Sequence, residues 1–416
     1  MKLRKSGRVL LAAAASLGTG LVLTSCSPSN TVDYVYVAAS KNNPGQISVY
    51  RADSLSGALT QIQESPYPSG GRNPVAMVTS PNGKYLYVVN KDDNNIVQFA
   101  IGTDAKLYPQ QTCNTPGSAP VAIAINNTGT LLYVVDFYSP TTPGGPVYSS
   151  SNPGPGDLVV YPLNSTQALT GCTPVTQTFV DSKGNTQTAT YVQLGVNPTG
   201  VSSLANSGFV YVSDQNTTSG LGQVEAFSVN SSGTLSGVSG SPFQSGTSPS
   251  SLIAVTSQNG TYLYVTDSRQ NQLIPFTILS SGALSPNPNG PVKTDTFPFN
   301  VTVDPRGQYL YVANYNANDV SAYAIGSNGT PSAVSGASSY ATGAGPSCVL
   351  VEPALGRFVY TANFIDNTVT GFELNPNTGV LTATQNSPYQ AAGQPTCAAA
   401  VPHGNHALQN VQSTAR

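Results

Sequence analysis

Tyr85-Leu-Tyr-Val-Val-Asn90 decides the fold, because the chain repeats it. The pattern returns as Leu132-Tyr-Val-Val-Asp136, Phe209-Val-Tyr-Val-Ser-Asp214, Tyr262-Leu-Tyr-Val-Thr-Asp267, Tyr309-Leu-Tyr-Val-Ala-Asn314 and Phe358-Val-Tyr-Thr-Ala-Asn363, and in shortened form as Tyr34-Val-Tyr-Val-Ala38. That makes seven copies. Between the second aromatics (Tyr36, Tyr87, Tyr133, Tyr211, Tyr264, Tyr311 and Tyr360) the steps are 51, 46, 78, 53, 47 and 49 residues, so the long third step marks an insertion. Fixed periodicity of this length signals a repeat architecture.

Outward from the motif, each unit has one order. Pro74 to Val78 is an apolar strand, Ser80-Pro-Asn-Gly83 a turn, Tyr85 to Asn90 a second strand, Ile96 to Ile101 a third, and a ragged fourth ends near Thr112. Four antiparallel strands in about 48 residues is the size of a propeller blade. Asn82-Gly83, Asn127-Thr-Gly129, Asn259-Gly260 and Arg306-Gly307 supply positive-φ turn residues between strands one and two. The fold expected is all-β: a seven-bladed β-propeller over 34–401. The orphan strand Gln394-Pro-Thr-Cys-Ala-Ala-Ala-Val401 joins blade 1 to close the ring and bury its edge. Blade 3 carries two insertions, 138–156 and 172–194, the second a hairpin turning at Ser182-Lys-Gly-Asn185, and both are expected at the channel mouth.

The ends of the chain carry other signals. Lys2, Arg4, Lys5 and Arg8 precede an apolar run from Val9 to Leu23 that is shorter than the ~20 residues of a membrane span. Leu23-Thr-Ser-Cys26 resembles a bacterial lipobox. The resemblance implies a signal peptide over 1–25, lipidation at Cys26, a tether over 26–33 and an exported, lipid-anchored protein of the cell envelope. Ser27 favours the outer membrane, and 402–416 is a tail. Removing the signal leaves twelve basic against eighteen acidic side chains. Nucleic acid, which needs a basic footprint, is excluded as a partner. Charged residues make up only 8% of the chain, yet β-branched and aromatic residues are plentiful and regularly placed, which separates it from a disordered one.

Counting from the proline that opens each first strand, the second residue on is small or polar: Ala76, Ala122, Gly200, Ser251, Asn300, Cys348 and Cys397. The third is mostly bulky. Strand alternation sends the small set to the crowded axis and the bulky set between blades. Cys348 and Cys397 are then equivalents in adjacent blades, and a tight ring brings them within the ~7 Å Cα limit of a disulfide. A bridge between them is expected, with two buried thiols as the alternative and Cys113 with Cys172 as a second candidate pair. An exported protein can keep either bridge.

The second strands end at the channel mouth in Asn90, Asp136, Asp214, Asp267, Asn314 and Asn363, beside Lys91, Phe137, Gln215, Ser268, Tyr315 and Phe364. As single residues Asn and Asp cap turns. As a set they form a polar rim, and elaboration concentrated on one face places binding there. The candidate binding residues are Asn90, Asn300, Asn314, Tyr315, Asn363 and Phe364, with Phe299 and Phe137 as further platforms for a sugar ring.

At these repeats the chain resembles the seven-bladed lactonase family, which includes 6-phosphogluconolactonase-like and muconate-lactonising enzymes, and the surface-layer propellers named for Tyr-Val-Thr-Asn repeats. The resemblance covers about 34–401. It implies lactone hydrolysis, with His and Arg on channel-facing first strands and a Glu beside the second-strand Asn. This sequence holds Val121-Ala122, Thr199-Gly200, Ser250-Ser251 and Phe299-Asn300 at those places, and no Glu follows any rim residue. Its two histidines, His403 and His406, fall at the opposite end of the last strand. Ring opening needs a base and a partner for the oxyanion: Asp136, Asp214 or Asp267 for the first, Lys91 or Arg269 for the second. No zinc signature, nucleophile elbow or phosphate loop is present, no cofactor is called for, and Ca²⁺ is compatible with the rim oxygens without a motif of its own. The leading expectation is a surface propeller that binds a small molecule, glycan or protein at the mouth. The alternatives are a lactone hydrolase with a divergent site and a structural envelope component.

Overall fold

A computed structural model describes residues 30–180, 186–205, 208–215, 220–336 and 339–404. The signal peptide, Cys26, the turn at 182–185, His406 and the rest of the tail lie outside them. Seven four-stranded antiparallel blades surround one axis, as the repeats require. Blade 2 is the simplest: Pro74–Thr79, Tyr85–Asn90, Asn95–Ile101 and Leu107–Asn114. In blades 1 and 4 to 7 the fourth position is split into two short pieces that both pair with the third strand. Closure follows the expected route: Pro395–Pro402 pairs antiparallel with Thr31–Ala39, Tyr36 opposite Ala399. Paired structure starts at Thr31, three residues before the expected boundary, because Asp33 already faces Pro402.

The second tyrosine of each motif joins blade to blade. All seven are almost completely buried. Six donate their hydroxyl to a backbone carbonyl in the turn between the third and fourth strands of the next blade. Tyr36 reaches Ala105 (3.3 Å), Tyr211 Gly282 (3.0 Å), Tyr264 Gly329 (2.9 Å), Tyr311 Gly379 (3.0 Å) and Tyr360 Gly57 (2.9 Å), and Tyr87 reaches Gln167. Each acceptor residue is held at positive φ, from 65° at Gly57 to 82° at Gly282. Glycine suits the position twice over: a Cβ at Gly379 would fall 2.3 Å from the Tyr309 ring.

Blade 3 breaks this seam. The Gly233 carbonyl, the acceptor the pattern assigns to Tyr133, instead accepts from Gln177 Nε2 (3.2 Å), while Gln177 Oε1 accepts from Leu235 N–H (2.9 Å). Gln177 belongs to the second insertion, whose hairpin pairs Gln177–Val180 with Thr186–Ala189. The hairpin is as expected, but its place is not. Gln177 lodges between blades 3 and 4 at the turn end, away from the mouth, because a buried amide can satisfy two backbone groups there. Only the return of this segment, Tyr191 and Gln193 against Pro140 and Ser139, approaches the first insertion. That first insertion does sit at the mouth, its Tyr148 carbonyl accepting from Ser118 Oγ (3.4 Å) at the start of a first strand.

The cysteines also correct the expectation. Cys113 and Cys172 are bridged, Cα to Cα 5.0 Å, whereas Cys348 and Cys397 are buried thiols. Cys348 Sγ is turned onto the backbone of the next first strand, accepting from Ala398 N–H (3.2 Å), rather than onto the Cys397 thiol. Burial pushes the Cys348 thiol up to about 11, so it stays protonated and inert.

Two outcomes test this account. Peptide mapping without reduction should link Cys113 to Cys172, and Cys348 and Cys397 should react with an alkylating reagent only after denaturation. Tyr311→Phe orphans a buried carbonyl and should cost about 1–3 kcal/mol in denaturant titrations. Tyr133→Phe should cost clearly less, because Gln177 already serves Gly233.

Candidate channel-mouth site

At the mouth each second strand ends in its Asn or Asp, and the chain enters the blade's first strand through a short loop closing on that side chain. A glycine lies three residues before the opening proline in five blades: Gly71, Gly117, Gly195, Gly246 and Gly343. A Cβ there would meet the Asn or Asp itself, at 2.2 Å for Gly246 on Asp267 and 2.7 Å for Gly343 on Asn363. The residue just before the proline takes positive φ in Asn73, Ala119, Asn197, Phe297, Gly345 and Gln394. Its carbonyl then accepts the N–H beyond the second strand, as in Lys91 to Asn73 (3.0 Å) and Tyr315 to Phe297 (2.9 Å).

These contacts settle where the predicted rim residues stand. Asn90, Asp136, Asp214, Asp267, Asn314 and Asn363 are all fully buried, each inside its own blade. Asp267 accepts from the N–H groups of Thr247 (2.7 Å), Ser248 (3.3 Å), Arg269 (3.1 Å) and Gln270 (3.1 Å). Asn314 Nδ2 donates to Asp319 (2.7 Å) and Ser321 (2.8 Å), and Asn363 Nδ2 to Thr368 (3.0 Å) and Thr370 (2.9 Å). Asn90 bonds Ser69 and Asn95, and Asp136 accepts from Gly117 N–H (3.0 Å). They are loop fasteners beneath the rim rather than a polar surface on it, and none of the three aspartates offers an open carboxylate.

Other side chains do reach the mouth. Asn300 is partly exposed on the channel wall, its Oδ1 accepting from Val349 N–H (3.0 Å) and its Nδ2 3.4 Å from Ser251 Oγ. Lys91 Nζ lies 5.7 Å from the centre of the Phe137 ring, and Arg269 is exposed. Tyr315 and Phe364 come together with two aromatics of blade 6. Phe299 lies 5.8 Å from Tyr315, Phe364 6.4 Å from Tyr315, and Phe297 6.4 Å from Phe299, the last two rings nearly parallel at 16°. Phe297 escaped notice in the sequence; its one signal was its place before Pro298. The seven first strands contain no Asp, Glu, Lys, Arg or His, so the channel wall is uncharged. Among the described residues no three His, Cys, Asp or Glu stand together to hold a metal.

Beneath the mouth, blades 3 and 4 each bury two carboxyls together. Asp136 faces Asp157 across paired strands, and Asp214 neighbours Glu225, which accepts from Gly195 N–H. Burial raises Asp136 to about 7 against the pull of Thr115 and Gly117, and raises Glu225 to about 8. Burial, then the neighbouring charge, raises Asp157 as well. A third pair, Asp33 with Glu352, lies at the opposite end, Asp33 likewise raised by burial. Raised carboxyls stabilise the fold fully below their unfolded value near 4, and that contribution disappears as pH rises through the folded values. Melting temperature should therefore fall between pH 5.5 and 9. In Asp157→Asn, whose amide can donate to Asp136, part of that fall should vanish.

The sequence matches the family described as "Lactonase, 7-bladed beta-propeller" over residues 27–142 and 172–392, and the chain belongs to that family. The gap between the matched stretches takes in most of the 138–156 loop. A 6-phosphogluconolactonase of Erwinia tasmaniensis is 27% identical over 344 residues, 76% of this chain and 98% of that one. One from Yersinia pestis is 25% identical over 316 residues, 71% of this chain and 91% of that one. Among solved structures, the periplasmic gluconolactonase of Pseudomonas aeruginosa shares the fold at a TM-score of 0.67, with 17% identity, covering 89% of this chain and 99% of that one.

Proposed function

We propose that this chain hydrolyses sugar lactones at the channel mouth, exported and held at the envelope through Cys26. The observation that carries the reading is the alignment of a 6-phosphogluconolactonase along 98% of its own length with a propeller of the same family. Opening a lactone adds water to the ester carbonyl and breaks the ring C–O bond, with negative charge building on the carbonyl oxygen. Lys91 and Arg269 are the cations assigned to that charge, and Asn300 Nδ2 a hydrogen-bond donor. The wall carries no carboxylate, and Asp136, Asp214 and Asp267 are buried, so no protein base is assigned. Catalysis then rests on positioning and electrostatics, with hydroxide as the attacking species.

A second reading, a propeller that binds a ligand at the mouth without turnover, is favoured by one observation: the wall positions where the family resemblance implies His and Arg hold Val121, Thr199, Ser250 and Phe299. A pH-stat assay on glucono-δ-lactone and its 6-phosphate separates the two. Hydrolysis should exceed the spontaneous rate, increase with pH, and drop at least tenfold in kcat/KM in Lys91→Ala or Arg269→Ala. A rate equal to the spontaneous one would leave the binding reading standing.

A further inference from the structure

Resting on the lactone reading of the same mouth, we infer that the site takes an uncharged lactone with an apolar ring face and discriminates against a phosphorylated one. The absence of charge on the wall is the first ground. No Asp, Glu, Lys, Arg or His occurs on the seven first strands, so the channel wall offers no cation to a phosphate, which brings about −1.5 to −2 charges. The loops around the mouth balance: Lys41, Arg72, Lys91 and Arg269 against Asp92, Asp93, Asp295 and Asp366. Arg72 is already held by Asp93 at 2.7 Å. The one helical turn on the rim, Lys91–Asp93, has Asp92 and Asp93 in its first turn, the reverse of an anion-binding end. Phosphate sites are built from forked arginines or open N–H groups facing one point, and among the described residues Arg269 is the one arginine of these loops not already paired with a carboxylate.

The aromatic crescent is the second ground. Phe299 is 41% exposed and Ile365, next to Phe364 in the chain, 57%, although large apolar side chains usually face inward. Tyr315 and Phe364 continue the surface at tilts of 45° and 47° between successive rings, so Phe299, Tyr315 and Phe364 form a curved wall. Phe297 adopts φ 61°, which a bulky residue avoids, and this sets its ring beside Phe299. An aromatic face suits the C–H side of a sugar ring, while Asn300 and Ser251 on the wall offer polar atoms to its hydroxyls.

The test compares glucono-δ-lactone with its 6-phosphate on the full chain. kcat/KM should favour the neutral lactone at least tenfold and change little between 20 and 300 mM salt. Phe299→Ala and Tyr315→Ala should each raise KM at least fivefold with kcat within twofold, and Phe299→Tyr should restore KM. Equal or better use of the phosphorylated lactone, or an unmoved KM in both alanine variants, overturns the inference. If neither lactone turns over, calorimetry with gluconolactam and its 6-phosphate decides. Selective binding of gluconolactam, weakened by Phe299→Ala, upholds the inference while removing the hydrolase reading. Preference for the phosphate, or binding of neither, overturns the inference.

Discussion

A tyrosine hydroxyl reaching a turn carbonyl in the next blade is the bond on which this ring depends. Within a blade the backbone ladders are local and close on their own. Nothing in them fixes the angle from one blade to the next. The tyrosine does so, because its ring fills the wedge between blades while its hydroxyl must find the one carbonyl that a positive-φ turn turns inward. The bond also polices spacing: a blade with the wrong turn would bury an unsatisfied hydroxyl and an unsatisfied carbonyl together. Blade 3 is the informative exception. There the second insertion supplies Gln177, and the chain exchanges a seam bond for an amide that holds two backbone groups of blade 4.

Most of the fold was legible because both of its determinants are periodic. The seven motifs gave the blade count, and the orphan strand at the C-terminus gave the closure. Less of the site was legible. The terminal Asn and Asp of each second strand look like a polar rim in one dimension. Their partners, such as Gly246 or the N–H groups of Thr247 and Gln270, belong to loops that only the folded ring brings against them. The glycine three residues before the opening proline in five blades was the available clue, since a side chain that recurs opposite a glycine packs against it. The cysteines misled for a related reason. Equivalence by repeat predicts adjacency, and Cys348 and Cys397 are in neighbouring first strands, but the Cys348 sulfur is taken up by the Ala398 N–H, a backbone contact that the repeat does not display.

The same ordering explains why the mouth is chemically sparse. A repeat that assigns its polar residues to holding loops has few left to display, and variation enters through positions outside the fastening pattern. Phe299, Tyr315 and Phe364 display such side chains, clustered on blades 6 and 7 with the ring of Phe297 beside them, while Lys91 and Phe137 form a smaller group on blades 2 and 3. The ring is therefore symmetric in its mechanics and lopsided in its surface.

Thr31, where paired structure begins, starts a second strand at the turn end of blade 1, and that strand runs from there up to the mouth. The described chain therefore enters the ring at the end opposite the mouth. A pull applied at Thr31 would run along Thr31–Ala39, which is clamped on one side by Gln46–Asp53 and on the other by Pro395–Pro402. Such a force is met in shear by two antiparallel ladders at once, and the strand that closes the ring supplies one of them.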